Sequence, residues 1–569
     1  PKFPEPVNLV FLLDRHRRGD QADPAQGFIA AKLKGPDPLV MVMTTLDHIA
    51  RGGIRDHLGG GYHRYSTDRA WVVPHFEKML YDNAQLAAVF VLAFEATGDP
   101  RWRREAEETF AFVERTMTSP EGAFYSALDA ETNGDEGAYY VWTRDEVKRV
   151  LGDGADYSLF AKVYGLEHDP NFENDRYVLL MPRPLPDVAT ALDTTPEALE
   201  GRLTPLRAKL LAAREKRTRP RLDDKVLTSW NGLMIAAYAE GYRVLKDERY
   251  RRAAERAADL LLAKLRTPEG RLLRTYRAGQ AKLAAYLEDY AFLAFGLLRL
   301  HTATSDPKRL DQARALADRL ITEFGDAKAG GFFYTAEGHE GLLARPKDPY
   351  DQALPSGNSV AIRLLVALGA ATKEARYLDA AGQALETFSS VMSQVPASVP
   401  LMLIGLDEYL DARPEAARSP LGAEINPKAT GSDREPIVMA EASLAPAAMV
   451  APGRTCEATL TIRIKEGWHL YAHEAEAGVP TTVTLAEGGP AALAGVDYPQ
   501  GELRALAGAE RVAVYEDRVS LPLRLRIAED ARAGPAELTL RVRYQACNDR
   551  SCLAPASLSV PLRLTIGRK

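Results

Sequence analysis

Four stretches of the chain carry one pattern of apolar and polar positions. They are "YDNAQLAAVFVLAFEATGDPRWRREAEETFAFVERTM", "SWNGLMIAAYAEGYRVLKDERYRRAAERAADLLLAKL", "EDYAFLAFGLLRLHTATSDPKRLDQARALADRLITEF" and "SGNSVAIRLLVALGAATKEARYLDAAGQALETFSSVM". In each, an almost unbroken apolar run gives way to a short turn and then to charged and apolar residues at helical spacing. The first part predicts a helix buried on both sides, the second a helix with one solvated face. Each stretch therefore reads as an αα-hairpin, and its repetition predicts nested inner and outer helices, an α/α toroid. With less regular pairs near residues 8–52 and 144–216, about six hairpins fit.

The connectors ahead of the inner helices also resemble one another: "GGGYHRYS", "GAFYSALDAETNGDEGAYYVWT", "GRLLRTYRAG" and "GGFFYTAEGHEGLLARPK". Aromatics alternating around Gly or Asn-Gly turns predict short β-hairpins at the mouth of the toroid. Polar residues then open each inner helix: Asp82 and Asn83, Trp230 and Asn231, Asp289 and Tyr290, Ser356 and Asn358. Helix capping accounts for such residues one at a time. Four sets converging on one mouth would line a cavity.

Beyond Leu410 the pattern changes. "DARPEAARSPLGAEINPKATGSDREP" has no helical period and reads as a linker, after which "CEATLTIRIKEGWHLYA", "SLPLRLRIAE", "AELTLRVRYQAC" and "ASLSVPLRLTI" alternate with period two. The reading is therefore multidomain: an all-α toroid over 1–412, a linker over 413–435 and an all-β, immunoglobulin-like sandwich over 436–569.

Composition narrows the function. The net charge of −6 argues against nucleic acid as a partner, and no apolar run is long enough to span a bilayer. The start, "PKFPEPVNLVFLLDRH", has neither the basic segment nor the cleavage site of a signal peptide, and lacks an initiator Met. The only cysteines, Cys456, Cys547 and Cys552, lie in the last quarter; Cys547 and Cys552 are close enough to pair, across a loop so small that a disulfide would add little stability and would be exchangeable, the alternative being two buried thiols.

Candidate chemistry concentrates in "RGGIRDHLGGGYHRYSTDRAWVVPHFEKMLYDN", residues 51–83. Its histidines suit proton transfer near neutral pH, and its glycines allow close backbone approach to a ligand. His75 is expected at the start of a helix that carries Met79 and Asp82 on the same face. His63, His75 and Asp82 are the acid/base candidates. His57, Tyr62, Arg64, Glu77, Tyr81 and Asn83 are candidate ligand contacts, against the alternative that the histidines are core or rim hydrogen-bonders. No metal is expected: the histidine spacing matches no zinc motif, and "DAETNGDEGAYY" begins like a calcium loop but has Tyr140 where a bidentate Glu is needed. Asp129, at the base of that hairpin, is a further candidate. Asp223, Asp224, Trp230 and Asn231, then Asp289, then Asp351, Ser356 and Asn358 complete the set, because carboxylate pairs, an aromatic platform and amides suit a polyhydroxylated ligand. Structural ion pairs with Lys225 and Arg345 are the competing reading.

The quoted motifs carry resemblances. "PKFP", "GGIRDHLGGGYHRYSTDRAWVVPHFEKMLYDNAQLA", "DGADYSLF", "DDKVLTSWNGLMIAA", "YLEDYAFLA" and "RPKDPYDQALPSGNSVA" resemble the spermatogenesis-associated protein 20 family over residues 1 to about 412. That family has a thioredoxin-like domain ahead of "PKFP", and its helical part is similar to the (α/α)6 barrels of six-hairpin glycosidases and N-acylglucosamine 2-epimerase. The resemblance implies a sugar ligand, with epimerase, isomerase or glycosidase chemistry and no cofactor; the alternative is an idle barrel serving as a scaffold for a redox relay or for protein binding. "GWHLYAHEAEAGVPTTVTL", "VYEDRVSLPLRL" and "YQACNDRSCLAPASLSVPL" resemble the N-terminal domain of the thiol:disulfide interchange protein DsbD. This implies redox shuttling by Cys547 and Cys552, a thioredoxin-like partner and an extracytoplasmic location.

Overall fold

The structure, a computed structural model, describes residues 1–19, 37–339, 344–413, 438–444, 449–475, 479–486, 489–504, 511–547 and 556–567. It divides into two compact units, Pro1–Leu421 and Gly422–Lys569. The expected linker falls almost wholly outside the described residues.

The first unit is helical. Helices α1 (Pro6–Gly19) and α2 (Pro38–Arg51) precede the hairpin of α3 (Leu80–Thr97) and α4 (Pro100–Phe112). Next come four helices, α5 (Arg144–Leu151), α6 (Ala155–Val163), α7 (Leu185–Ala191) and α8 (Pro196–Arg214). Three more hairpins pair α9 (Thr228–Leu245) with α10 (Glu248–Lys264), α11 (Leu287–Thr304) with α12 (Pro307–Phe324), and α13 (Gly357–Thr372) with α14 (Ala375–Thr387). The unit ends with α15 (Ser389–Gln394) and α16 (Pro400–Ala412). Helices α3, α9, α11, α13 and α16 pack each against the next, α16 packs on α1, and α1 returns to α3. Six inner helices thus close a ring around a shared apolar core that includes Phe90, Tyr238, Leu297 and Leu365.

One local device makes the four clear hairpins. The inner helix ends on a residue in the left-handed region, Gly98, Lys246, Ser305 or Lys373, at φ +67, +61, +60 and +62°. In three of them the next acid along the chain caps the outer helix: Asp99, Asp247 and Asp306 accept the N–H two residues on, at 2.9, 2.8 and 3.0 Å. Glycine sets the closest approach between inner helices. A Cβ on Gly232 would lie 2.5 Å from the Leu293 backbone nitrogen, and one on Gly296 2.6 Å from the Gly232 carbonyl.

One expectation is corrected. Residues 144–216 do not supply a hairpin of the ring: three short helices, α5 to α7, and the longer α8 pack on one another around Phe160, Leu203 and Leu210. The sixth inner position goes to α16, sealed to α1 through Val7, Leu401 and Ile404. The connectors do form short strands. Leu273–Arg277 pairs with Gln280–Ala284, and Glu131–Thr132 pairs with Asp135–Glu136 across Asn133 and Gly134, both at positive φ. Ahead of α13 no strand forms among the described residues.

Among its described residues the second unit is all-β. Its strands are β1 (Val438–Leu444), β2 (Met449–Val450), β3 (Thr455–Ile464), β4 (His469–Tyr471), β5 (Thr482–Leu485) and β6 (Ala491–Val496). The remainder are β7 (Glu502–Arg504), β8 (Val512–Glu516), β9 (Arg518–Ile527), β10 (Gly534–Tyr544), β11 (Ala546–Cys547) and β12 (Ala556–Ile566). Sheets ordered β1-β3-β9-β6 and β2-β12-β10-β5 share one core, to which β9 contributes Leu521, Leu523 and Leu525 and β10 Leu538, Leu540 and Val542. Strict alternation in "RVSLPLRLRI" sends Val, Leu and Ile inward and Arg and Ser outward, as period two requires. A smaller sheet, β7-β8-β4-β11, adds Leu470, Tyr515 and Ala546 to that core from one face.

Candidate functional site

The inner-helix starts superpose by sequence position as Asp82-Asn83, Trp230-Asn231, Asp289-Tyr290 and Gly357-Asn358. The second residue of each pair does one job. Asn83 Oδ1 accepts the Tyr62 N–H at 2.8 Å while its Nδ2 donates to the Tyr62 carbonyl at 3.0 Å. Asn231 grips Phe124 in the same way, at 2.8 and 2.9 Å, and Asn358 grips Phe332 at 2.9 and 3.0 Å. In the remaining copy the Tyr290 hydroxyl accepts the Leu272 N–H at 2.9 Å. Asn83, Asn231 and Asn358 are fully buried. These amides, expected as ligand contacts, are engaged in a bidentate clamp on a strand-like backbone that locks each connector to its inner helix.

The first residue of each pair differs from copy to copy. Asp289 is buried and well bonded: it accepts the Ser229 N–H at 2.9 Å and the Tyr286 N–H at 2.9 Å, and meets Arg274 at 3.3 Å. Burial raises its pKa to about 6, with Arg274 opposing. Asp82 is equally buried, at 1% exposure, yet its Oδ2 has no hydrogen-bond partner among the described residues. Burial drives its pKa well above the usual carboxylate range; Arg64 opposes this and Glu77 adds to it. The two acids share a place in the repeat, and only Asp82 keeps unspent hydrogen-bonding capacity.

Around Asp82 stands a mixed polar and aromatic group. Tyr81 meets the half-buried Trp230 edge-on at 4.8 Å. Arg64 donates to the Tyr81 hydroxyl at 3.1 Å and to Glu77 at 3.0 Å. His75 lies between Glu77, at 3.1 Å, and Glu136, at 2.8 Å, with its ring stacked on Tyr65. His75 belongs to a short strand, Pro74–His75, not to the start of α3, which begins at Leu80; the expected shared helix face with Met79 and Asp82 does not form. Sequence reasoning missed Arg274, Glu288 and Tyr286. Arg274 pairs with Glu288 at 2.9 Å and lies over the Tyr286 ring, itself stacked on Tyr334. Only the capping-type spacing of "YLED" hinted at them.

Other candidates find structural partners. His63 is buried edge-on between Phe76 and Tyr140 and bonded to the Phe76 carbonyl, and His57 is bonded to the Gly52 carbonyl. Burial lowers both to about 3, which keeps them neutral imidazoles of the interior. The Tyr62 hydroxyl donates to buried Glu105. Asp129 is exposed, and its carboxylate accepts the Glu131 N–H. Asp223 pairs with Lys225 and Asp224 with Arg277. Asp351 accepts the Ser356 and Leu401 N–H groups, both at 2.9 Å, which ties the starts of α13 and α16 together; Ser356 caps α13. Arg345 meets no carboxylate among the described residues: it donates to the Thr335 carbonyl. Beneath the first connector, buried Asp56 receives Lys78 at 2.7 Å and both terminal nitrogens of Arg214, beside a cavity of about 160 Å³ lined also by Arg115 and Tyr140. Among the described residues no three His, Cys, Asp or Glu side chains gather as a metal site.

In the second unit Cys547 is buried and disulfide-bonded, and Cys456 is a free, half-buried thiol. Cys552 lies outside the described residues.

Residues 436–563 match the family model "Thiol:disulfide interchange protein DsbD, N-terminal". The chain is similar to spermatogenesis-associated protein 20 of Homo sapiens, 37% identical over 71% of this chain and 55% of that protein. Its counterpart from Mus musculus is 37% identical over 71% of this chain and 54% of its own length. The chain thus spans about half the length of the curated relatives it matches. Among solved structures, cellobiose 2-epimerase from Bacillus thermoamylovorans is similar at 12% identity over 68% of this chain and 75% of that one, with a TM-score of 0.43. The N-terminal periplasmic domain of ScsB from Proteus mirabilis is similar at 18% identity over 23% of this chain and 45% of that one, with a TM-score of 0.17.

Proposed function

We propose that the inner-helix starts of the toroid form an acid–base site for a polyhydroxylated ligand, a sugar, with Asp82 as its proton donor. The observation that carries this reading is the unpartnered Oδ2 of a buried Asp82, in contrast to the fully bonded Asp289 in the matching position. A carboxyl kept neutral by burial holds a proton at neutral pH that it can deliver to a hydroxyl, carbonyl or glycosidic oxygen. His75, between two carboxylates, is the complementary acid/base group, and Tyr81 with Trp230 offers the aromatic surface that a sugar ring stacks on. The reaction class is epimerisation, isomerisation or glycoside hydrolysis, each of which needs a donor and an acceptor on the sugar. The test is a panel of monosaccharides and disaccharides offered to the intact protein, read by turnover and by thermal stabilisation. Asp82→Asn is expected to abolish turnover and leave the melting temperature at or above wild type. Protein that is folded yet neither turns over nor is stabilised by any sugar leaves the competing reading, an idle scaffold.

For the second unit the proposed activity is thiol–disulfide exchange with a thioredoxin-like partner, in an extracytoplasmic compartment and on an immunoglobulin-like sandwich. The family match over 436–563 and the disulfide at Cys547 support it. Cys547→Ser is expected to trap a mixed disulfide through Cys552. Thiols that remain reduced and unreactive under oxidising conditions would remove the assignment.

A further inference from the structure

The small sheet β7-β8-β4-β11 brings an imidazole to the redox cysteine. In its register His469 of β4 stands directly opposite Cys547 of β11 on one side and Glu516 of β8 on the other. Directly opposed residues of an antiparallel pair project from the same face with Cβ atoms about 4.5–5.5 Å apart. The neighbours show which face this is. Tyr471, two residues after His469, packs with Val512 and Cys547, whereas Leu470, Tyr515 and Ala546 turn to the sandwich core. Cys547, His469 and Glu516 therefore lie in one row across three strands, on the face turned away from that core. His469 is fully buried and Cys547 is 1% exposed. Among the described residues, the other charged groups on this face are Glu502 and Arg504 of β7, and Arg504 is ion-paired with Glu516.

We propose that His469 is the proton donor and acceptor for the Cys547 sulfur during thiol–disulfide exchange, with Glu516 as a positioning residue that favours the charged imidazole. This rests on the exchange activity proposed above and assigns it a residue. Cys547 is buried, so in this proposal the incoming thiol attacks the other sulfur of the disulfide and Cys547 is the leaving group. A dithiol protein supplies the reductant. Its first thiol gives up a proton to solvent, and the resulting thiolate bonds to the other sulfur. The S–S bond breaks, and its electron pair lands on Cys547, which leaves as a thiolate beside the imidazolium of His469 and takes its proton, which His469 regains from solvent. The second thiol of the partner then attacks the mixed disulfide; the partner departs as a disulfide, oxidised by two electrons, and the two cysteines hold the two protons. A leaving thiolate stabilised by a neighbouring cation leaves faster, and the same pair makes Cys547 a better nucleophile in reverse.

The experiment uses the full chain and dithiothreitol as the dithiol. Reduction is monitored from pH 5 to 9 by quenching and alkylation, and the reduced protein is then alkylated over the same range to profile Cys547. His469→Gln is expected to slow reduction near neutral pH by about tenfold and to move the Cys547 alkylation profile up by about one pH unit. Glu516→Gln is expected to move it part of the way. His469→Phe, which keeps a ring in the buried site, should behave as His469→Gln and guards against a folding defect in the first variant. A wild-type profile in both His469 variants would overturn the role of His469 and leave exchange standing. A wild-type disulfide that dithiothreitol cannot reduce at any pH would overturn exchange itself, and this proposal with it.

Discussion

The carboxamide of Asn83 holds the backbone of Tyr62 at both ends, accepting its N–H at 2.8 Å and donating to its carbonyl at 3.0 Å. Asn231 and Asn358 repeat the grip on Phe124 and Phe332. Replacing the amide with a methyl group leaves a buried donor and a buried acceptor unpaired, each at about 1–3 kcal/mol. Asn83→Ala, Asn231→Ala and Asn358→Ala are each expected to lose about 2–4 kcal/mol in urea unfolding. Three variants as stable as wild type would show that the clamp contributes nothing.

Asp82 predicts a pH dependence of opposite sign to that of a salt-bridged acid. Its pKa is raised by burial, so between the ordinary carboxylate value, near 3.8, and its own higher value the folded protein holds a proton that the unfolded chain has lost. Stability contributed by this group is full below that window and falls as pH rises through it. Asp82→Asn removes the slope, up to about 1.4 kcal/mol per pH unit from this one proton. Unfolding free energies measured from pH 4 upward should therefore converge at the acid end and favour the variant at neutral pH. A variant less stable than wild type at pH 7 would mean that the carboxylate has a partner in solution.

The two buried histidines act at the other end of the scale. His57 and His63 have folded pKa values of about 3 against an ordinary 6.5, with burial the leading cause in both and the next a nearby cation, Arg55 for His57 and Lys78 for His63. As pH falls from 6.5 toward 3, the unfolded chain takes up protons that the folded chain refuses. Their stability contribution is present above pH 6.5 and lost across that window. Each should account for up to about 1.4 kcal/mol per pH unit of acid destabilisation. His63→Asn is expected to flatten the slope of unfolding free energy between pH 4 and 6 by about one proton. An unchanged slope would mean that the imidazole is already protonated in the fold.

Much of this architecture was legible because its signals are local. The toroid is written in the apolar run, turn and amphipathic run, and the hairpin turns in Asp99, Asp247 and Asp306, each of which caps the outer helix beginning beside it. What failed was long-range. Nothing in residues 144–216 says that α5 to α8 pack on one another instead of entering the ring, and nothing in "PLMLIGLDEYLDA" says that α16 will close against α1. The candidate site was half legible for the same reason. The polar positions at the helix starts are visible in sequence, but Asn83 and Asp82 are adjacent and equally polar. Which of them is spent on backbone depends on where Tyr62 lies, a contact across 21 residues. His57 and His63 were attractive as histidines in a glycine-rich loop, and their burial could be read only once Phe76, Tyr140 and Tyr164 had packed on them.

The cluster of Asp56, Lys78 and Arg214 sets a last prediction, because its three charges are unequal in what they leave behind. Asp56 is the only acid of the three, bonded to Lys78 at 2.7 Å, to Arg214 at 2.7 and 2.8 Å, and to the Leu58 and Gly59 N–H groups. Asp56→Ala strands two buried cations and should cost about 3–5 kcal/mol or prevent folding. Lys78→Met leaves a balanced Asp56–Arg214 pair and fills much the same volume while forfeiting the bonds to Asp56 and to the Gly60 carbonyl, so it should cost less than Asp56→Ala. The lysine also has a signature of its own. Burial and Arg214 lower its pKa from 10.5 to about 8 against the pull of Asp56, so between pH 8 and 10.5 the unfolded chain binds a proton that the folded chain does not. Stability should rise with pH across that window in wild type, and Lys78→Met should abolish the rise. Urea unfolding of both variants at pH 7, and of Lys78→Met from pH 8 to 10, tests the order and the slope. A Lys78→Met protein that loses as much stability as Asp56→Ala would show that the cluster works as one inseparable unit and not as a carboxylate serving two cations.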